Sequence, residues 1–289
     1  MLKRLQWELE SIVNILYTFA RNPRLSLRIL RRLPFILPVL HGVDYGRRWV
    51  PPPEEQILSD RLDSGSLADA LNPLKSYFDS HKEGRGVWKW VHYFEIYHRH
   101  FSKFVGREVH VLEIGVYSGG SLQMWTEYFG PKCRVYGVDI EEACAAYQDD
   151  RTKIIVGDQS DRRFWKRFKE ENPAIDILID DGSHEPGHQI VTLEEMLPHL
   201  RPGGVYLCED VHGEENPFNS YVHGLAASMN SCLIWVDQGK GLTCNPTHFQ
   251  AAIHSIHLYP FATVIEKTKS PREEFTAPKQ GTEWQPFLE

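Results

Sequence analysis

The apolar positions of this chain change their period twice. Leu2, Leu5, Leu9, Ile12, Val13, Leu16 and Phe19 recur mostly at spacings of three and four, which predicts an amphipathic helix. A basic continuation follows, in which Arg24, Arg28, Arg31 and Arg32 interleave with Leu27, Ile29 and Leu30. Pro51, Pro52 and Pro53 mark a linker. Helical spacing returns over Ile57–Phe78, interrupted at Pro73, and over Val87–Phe104, which reads VWKWVHYFEIYHRHFSKF. From Val109 short apolar runs alternate with helix-length segments. Strands are predicted at 109–114, 134–138, 153–156, 175–179 and 205–208, and helices at 121–129, 141–147, 162–171 and 189–200. Alternation of this length implies right-handed crossovers and a parallel sheet covered on both faces. Ile253–Tyr259 and Ala262–Lys267 read as two strands joined tightly at Pro260, an antiparallel hairpin that such a sheet tolerates at its edge. The expected architecture is a doubly wound α/β core over residues 86–269. Before it lies a helical extension over 1–85, and after it a polar tail over 270–289, loosely packed or disordered.

Size and charge narrow the classes. With 289 residues and 42% hydrophobic content the chain can bury one sizeable core plus an appendage. A formal net charge of -7 argues against sequence-independent nucleic-acid binding, which needs a basic face to displace counterions. No segment reaches the roughly 18 uninterrupted apolar residues of a membrane span, and Leu33–Leu40 is broken by Pro34 and Pro38. A signal-peptide order of residues is also missing from the first segment. The five cysteines show no C-x-x-C pair, so neither a zinc module nor a disulfide framework is expected, and a reducing cytoplasm is the expected compartment. The N-terminal helix is expected to pack its stripe on the same chain or on a second subunit, with peripheral contact to an anionic membrane as the alternative.

Acids mark the strand ends. Glu113, Asp139, Asp158, Asp180/Asp181 and Glu209/Asp210 each stand at or just past the end of a predicted strand, where open parallel sheets bind ligands. The first loop, LEIGVYSGGS, supplies three glycines for close backbone approach, yet it is neither a G-x-G-x-x-G fingerprint nor a Walker loop. Asp139 sits where an acid accepts hydrogen bonds from ribose hydroxyls. Four acids and His184 crowd into Ile177–Asp210, a concentration that asks for a cation. His184–His188 spells HEPGH, formally a zinc-protease motif. That motif needs a helix, and Pro186 and Gly187 in a helix interior would cost about 3 and 1 kcal/mol.

Residues 109–215 resemble class I S-adenosylmethionine-dependent methyltransferases, with E-x-G in the first loop, GDQSD after the third strand and P-G-G before the fifth. More narrowly, IVGDQSD, IDDGSH and PGGVYLCED resemble the metal-dependent sugar O-methyltransferases of macrolide biosynthesis, of mycinamicin and tylosin type, and related rhamnosyl O-methyltransferases. The resemblance implies a Rossmann-like fold and, as cofactors, S-adenosyl-L-methionine and Mg²⁺. It implies cofactor contacts from Glu113, Gly115, Tyr117, Ser118, Asp139, Asp158, Gln159 and Asp180. It implies metal ligands at Asp181, Glu209 and Asp210, and His184 as general base. Lys89, His92 and Tyr93 are weaker candidates for covering the ligand. The implied acceptor is a small hydroxylated molecule, a sugar or polyol in a glycoside or natural product, with no nucleic-acid partner. The alternatives are metal-independent methyl transfer to a protein or lipid, an NAD-dependent oxidoreductase, and a membrane-docked cofactor binder without catalysis. A homo-oligomer is compatible with the first helix.

Overall fold

The computed structural model describes residues 22–48, 50, 72–232, 235–237 and 241–282. The predicted helix over Leu2–Phe19, the triple-proline linker and the start of the Ile57–Phe78 segment lie outside them. Chain contacts divide the protein into two compact units at residues 66/67.

In the first unit, helix α1 (Pro23–Arg32) begins with the Asn22 side chain accepting a hydrogen bond from the Leu25 amide and with Pro23 in the first turn. It ends with Arg31 and Arg32, whose charges complement the helix dipole. A 3₁₀ turn over Leu33–Phe35 leads into α2 (Ile36–Arg48). None of the described helices is long and apolar enough to cross a membrane.

The second unit is built on a seven-stranded sheet. Its strands are β1 (Val109–Ile114), β2 (Cys133–Asp139), β3 (Thr152–Val156), β4 (Ile175–Asp180), β5 (Leu200–Cys208), β8 (Ile253–Tyr259) and β9 (Ala262–Lys267), in the order β3-β2-β1-β4-β5-β9-β8. The first five are parallel, and β9 and β8 add the antiparallel edge that the sequence predicts. Two core layers cover the faces. One packs α3 (Pro73–Ser80), α4 (Tyr93–Phe101) and α5 (Gly120–Phe129) around Tyr97, Trp125 and Phe129. The other packs α6 (Arg162–Glu171), α7 (Pro186–Met196) and α8 (Pro217–Ser228) around Trp165, Met196 and Phe218.

Tertiary structure revises several local expectations. Val87–Phe104 is helical only from Tyr93, because residues 86–90 form no regular element and deliver Lys89 and Trp90 to the strand ends. Pro73 starts a helix instead of interrupting one, with Asn72 as its cap. Helix α3 also belongs to the second unit, before the expected boundary at residue 85: Leu74 is 0% exposed, and the Asn72 amide donates to the Phe94 carbonyl. Segment Glu142–Tyr147 is 3₁₀, not α. The expected tail contains a strand, β10 (Phe275–Pro278), which pairs with β7 (Gly241–Cys244), itself paired with β6 (Trp235–Asp237). Cys232 and Cys244 are disulfide-bonded, although the cysteine spacing indicates no disulfide framework; a single pair 12 residues apart carries no sequence signature.

Helix α4 is fastened to the hairpin by a polar cluster. His100 Nδ1 lies 2.6 Å from Glu266 Oε1 and its Nε2 2.9 Å from the Tyr259 hydroxyl, while Lys103 donates to Glu266 at 3.1 Å. Burial raises the Glu266 carboxyl, but the His100 and Lys103 bonds outweigh it and hold the group at about 2. A depressed acid contributes stability above its unfolded value and loses it as pH falls through the folded one. Glu266→Gln should therefore be destabilising at pH 7, with the difference from the unsubstituted protein closing between about pH 4.5 and pH 2. Urea titrations across that range read this directly, and a pH-independent difference would contradict it. Leu74→Ala should cost about 2–5 kcal/mol in the same titrations; a loss under about 0.5 kcal/mol would mean that α3 is not part of this core.

Candidate functional site

All five parallel strands end at one cavity of ≈ 1030 Å³. Its wall is shaped first by the loop after β1. Gly115 (φ +88), Tyr117 (φ 47) and Gly119 (φ 71) all lie in the left-handed region, and Gly119 caps α5. A side chain at Gly115 would place its Cβ 2.0 Å from the Asp181 carbonyl oxygen, so this glycine is what lets the β1 and β4 loops touch. Asp139, ending β2, fixes the loop from the other side. Its Oδ2 accepts from the Val116 and Tyr117 amides at 2.8 and 3.0 Å, and its Oδ1 from the Glu141 amide.

Gln159 organises the third and fourth strand ends. Its Nε2 donates to Asp180 and to the Thr192 hydroxyl, and its Oε1 accepts from the Ser183 amide at 2.7 Å. Asp180 is buried behind the wall, and burial raises its carboxyl to about 6. Asp158 is exposed, and its hydrogen bonds from Ser160 hold it low. Beyond Asp181 the chain turns through His184 (φ 58), Glu185 caps α7, and Pro186 takes the first helical position, where its missing N–H costs nothing. HEPGH is thus a loop entering a helix. The helix begins three residues before the predicted Gln189 because proline stands at its start and not in its interior.

The inner end of the cavity holds a knot of ionisable groups. Lys89 Nζ lies 2.6 Å from Asp181 Oδ2, 3.2 Å from both oxygens of Glu209 and 3.4 Å from Glu113 Oε1. The Lys89, Glu113 and Glu209 side chains are 3%, 0% and 1% exposed. Ser121 donates to Glu113 and Tyr97 to Glu209, each at 2.7 Å. Burial works against the lysine's charge, but the three carboxylates outweigh it and hold the ammonium well above its usual range. Burial raises Glu209 strongly, and Asp181 adds to this, because one cation does not balance three acids.

Toward solvent the acids continue. Asp210 (φ 53) accepts hydrogen bonds from Trp90 Nε1 at 2.9 Å and the Tyr93 hydroxyl at 3.0 Å. His184 Nε2 stands 3.6 Å from its Oδ2 and His212 Nε2 3.5 Å from its Oδ1. Asp181, His184 and Asp210 each bring one ligand atom within 4.8 Å of the others, and the surplus negative charge and oxygen donors suit a hard divalent cation.

Of the predicted site residues, Gly115, Tyr117, Ser118, Asp139, Asp158, Gln159, Asp181, His184, Glu209 and Asp210 line the cavity, whereas Glu113 and Asp180 do not. Lys89 and Tyr93 reach the acids, while His92 turns away to the Pro260 carbonyl. Trp88, Trp90, Glu141 and His212 also line it; the first three are not singled out by the sequence, and His212, two residues after Asp210, joins the site although the sequence favours a surface histidine. The one sequence signal for the two tryptophans, an aromatic-rich segment before the core, reads equally well as packing.

A family model described as a methyltransferase domain matches residues 112–211. Mycinamicin VI 2''-O-methyltransferase of Micromonospora griseorubida is 27% identical over 285 residues, covering 92% of this chain and 69% of its own. The 8-demethyl-8-alpha-L-rhamnosyl tetracenomycin-C 2'-O-methyltransferase of Streptomyces olivaceus is 32% identical over 203 residues, 64% of this chain and 53% of its own. A solved structure of MycE methyltransferase from the mycinamycin biosynthetic pathway, in complex with Mg and SAH, superposes with a TM-score of 0.55 at 29% identity. The match covers 68% of this chain and 54% of that one, so this chain spans about half of that structure.

Gly115→Ala tests the wall itself. Forcing a Cβ into the Asp181 carbonyl at positive φ should cost more than about 2 kcal/mol in thermal unfolding. A variant of unchanged stability would show that the two loops do not need this approach.

Proposed function

We propose that this chain, whose residues 112–211 match a methyltransferase-domain model, is an S-adenosylmethionine-dependent, Mg²⁺-assisted O-methyltransferase acting on a sugar or polyol hydroxyl of a glycoside or natural product. The observation that carries this is the meeting of Asp181, His184 and Asp210 at one side of a cavity whose other side is the Gly115–Ser118 loop, Asp139, Asp158 and Gln159. The names of the similar proteins, which specify 2''-O and rhamnosyl 2'-O positions, support a sugar hydroxyl as the acceptor.

S-adenosylmethionine supplies an electrophilic methyl group, and a divalent ion makes a coordinated hydroxyl more acidic. Asp181 and Asp210 would hold the ion. Glu209, the third expected ligand, lines the cavity beside them, with its carboxylate hydrogen-bonded by Lys89 and Tyr97. Glu113 acts from behind the wall, through Ser121 and Lys89. Gly115 and Tyr117 bring backbone close to the cofactor, and Asp139 retains lone pairs for ribose hydroxyls beside its three amide bonds. Trp88, Trp90 and Tyr117 are exposed and offer apolar faces to the acceptor. His184 Nε2 accepts the acceptor's proton, and the resulting imidazolium faces the Asp210 carboxylate, which stabilises it. A positioned base is worth about 10²–10⁴ in rate, or roughly 3–5 kcal/mol, and holding hydroxyl and methyl in line about 7–11 kcal/mol. Positioning by the walls therefore outweighs the base.

His184→Ala is expected to lower kcat by about 10²–10⁴ while S-adenosylhomocysteine binding, followed by calorimetry, is retained. Asp181→Ala or EDTA should abolish labelled-methyl transfer to the best glycoside found in a screen. Transfer that proceeds undiminished in EDTA on that acceptor would sink the metal-assisted reading.

A further inference from the structure

We propose that residues 22–48 are a docking surface for an anionic lipid bilayer, lying in the plane of the headgroups without crossing. None of these residues lines the cavity of the second unit, so docking is independent of the proposed methyl transfer.

Helix α1 sorts its residues by chemistry. At 3.6 residues per turn Leu25, Ile29 and Leu30 share one side, and Arg24 and Arg31 take the opposite one. In α2 the spacings of three and four at Ile36, Val39, Leu40 and Val43 form a second apolar stripe. A helix with one apolar face ordinarily buries it in protein. These two do not: among the described side chains α1 buries only Ser26, and α2 buries none. Leu27 and Leu30 are each 50% exposed, Leu37 61% and Leu40 51%. A run of exposed leucines of this length marks a surface that meets something apolar.

Charge decides what covers it. Residues 22–48 contain six arginines and one acid, in a chain whose net charge is -7. That acid, Asp44, stands 3.7 Å from Arg47, at the far end from the arginines of α1. A second copy of the segment would bring like charges together, and a protein core would strip the guanidinium groups of water. A bilayer with acidic lipids suits both faces: the leucines enter the acyl boundary, and the arginines reach the phosphates along their alkyl stems. Neither helix is long and apolar enough to span the bilayer, so the segment lies on it.

Flotation of the full-length protein tests this, with vesicles of phosphatidylcholine alone and of phosphatidylcholine mixed equally with phosphatidylglycerol. The unsubstituted chain is expected to float with the mixed vesicles and far less with phosphatidylcholine. Arg24→Gln/Arg31→Gln/Arg32→Gln should weaken binding to the mixed vesicles about 10²-fold, each basic group contributing a factor of about 5. Leu30→Ser/Leu37→Ser/Leu40→Ser should lose binding as well, which charge attraction alone would not produce. The substituted side chains are exposed, so both variants should keep the unfolding midpoint of the unsubstituted chain. Failure of the unsubstituted chain to float, equal flotation with both vesicle types, or undiminished flotation of either variant overturns the proposal. A lowered midpoint in the leucine variant also overturns it, because the stripe would then be packed within the chain. So does a homo-oligomer, seen by light scattering, that the leucine substitutions dissolve, since the face would then belong to a second copy.

Discussion

Carboxylates gathered at one edge of a parallel sheet repel one another and lose solvation as they are buried, and the architecture of this protein follows from relieving that. Parallel strands in register deliver Glu113, Asp181 and Glu209 to neighbouring positions whether or not their charges agree. Water cannot relieve the inner pair, since both side chains are buried. Relief comes from a lysine imported from outside the sheet, and the segment that carries it must give up helical structure to arrive. The broken helix before Tyr93 is therefore a consequence of the sheet's electrostatics, not a local preference.

The same edge concentrates backbone strain. Among the described non-glycine residues, positive φ occurs at Tyr117, His184, Asp210 and Phe261. The first three line the cavity, and the Phe261 carbonyl receives the Tyr93 hydroxyl and the Val211 amide. Each such conformation costs on the order of 1–3 kcal/mol and persists only where the surroundings over-determine it. Here they do: Tyr117 is tied to Asp139, and Asp210 to Trp90 and Tyr93. Strain turns His184 and Asp210 back toward each other, which regular strand-to-helix turns would not do.

What could be read in advance divides along physical lines. Because burial on both faces leaves little freedom in composition, short apolar runs between polar turns marked the five parallel strands and the hairpin closely, except that β5 begins at Leu200 and not at residue 205. Acids at strand ends pointed to the cavity for the same reason. Lys89 was harder. Its surroundings, VWKWVHYF, have helical periodicity, and its partners lie 24 to 120 positions away, so that the first half is not helical. Glu113 and Asp180 were misplaced relative to the cavity for a related reason: a strand-end acid can face the ligand or the interior, and Ser121, Gln159 and Tyr206 decide between them. The Cys232–Cys244 bond and the β10 strand depend on segments meeting late in the chain and leave no periodic trace.

Asp210 also has a position in time. Its partners Trp90 and Tyr93 precede it by 120 and 117 residues, and the Phe261 carbonyl that shares Tyr93 follows Tyr93 by 168. The five parallel strands can pair and bury their core before residue 261 has been joined to the chain, but the seat of Asp210 cannot be finished until the β8–β9 turn docks. Loop closure over such separations is slow compared with local pairing. The ligand-facing edge is therefore the part of this fold whose assembly draws on the most distant stretches of the chain.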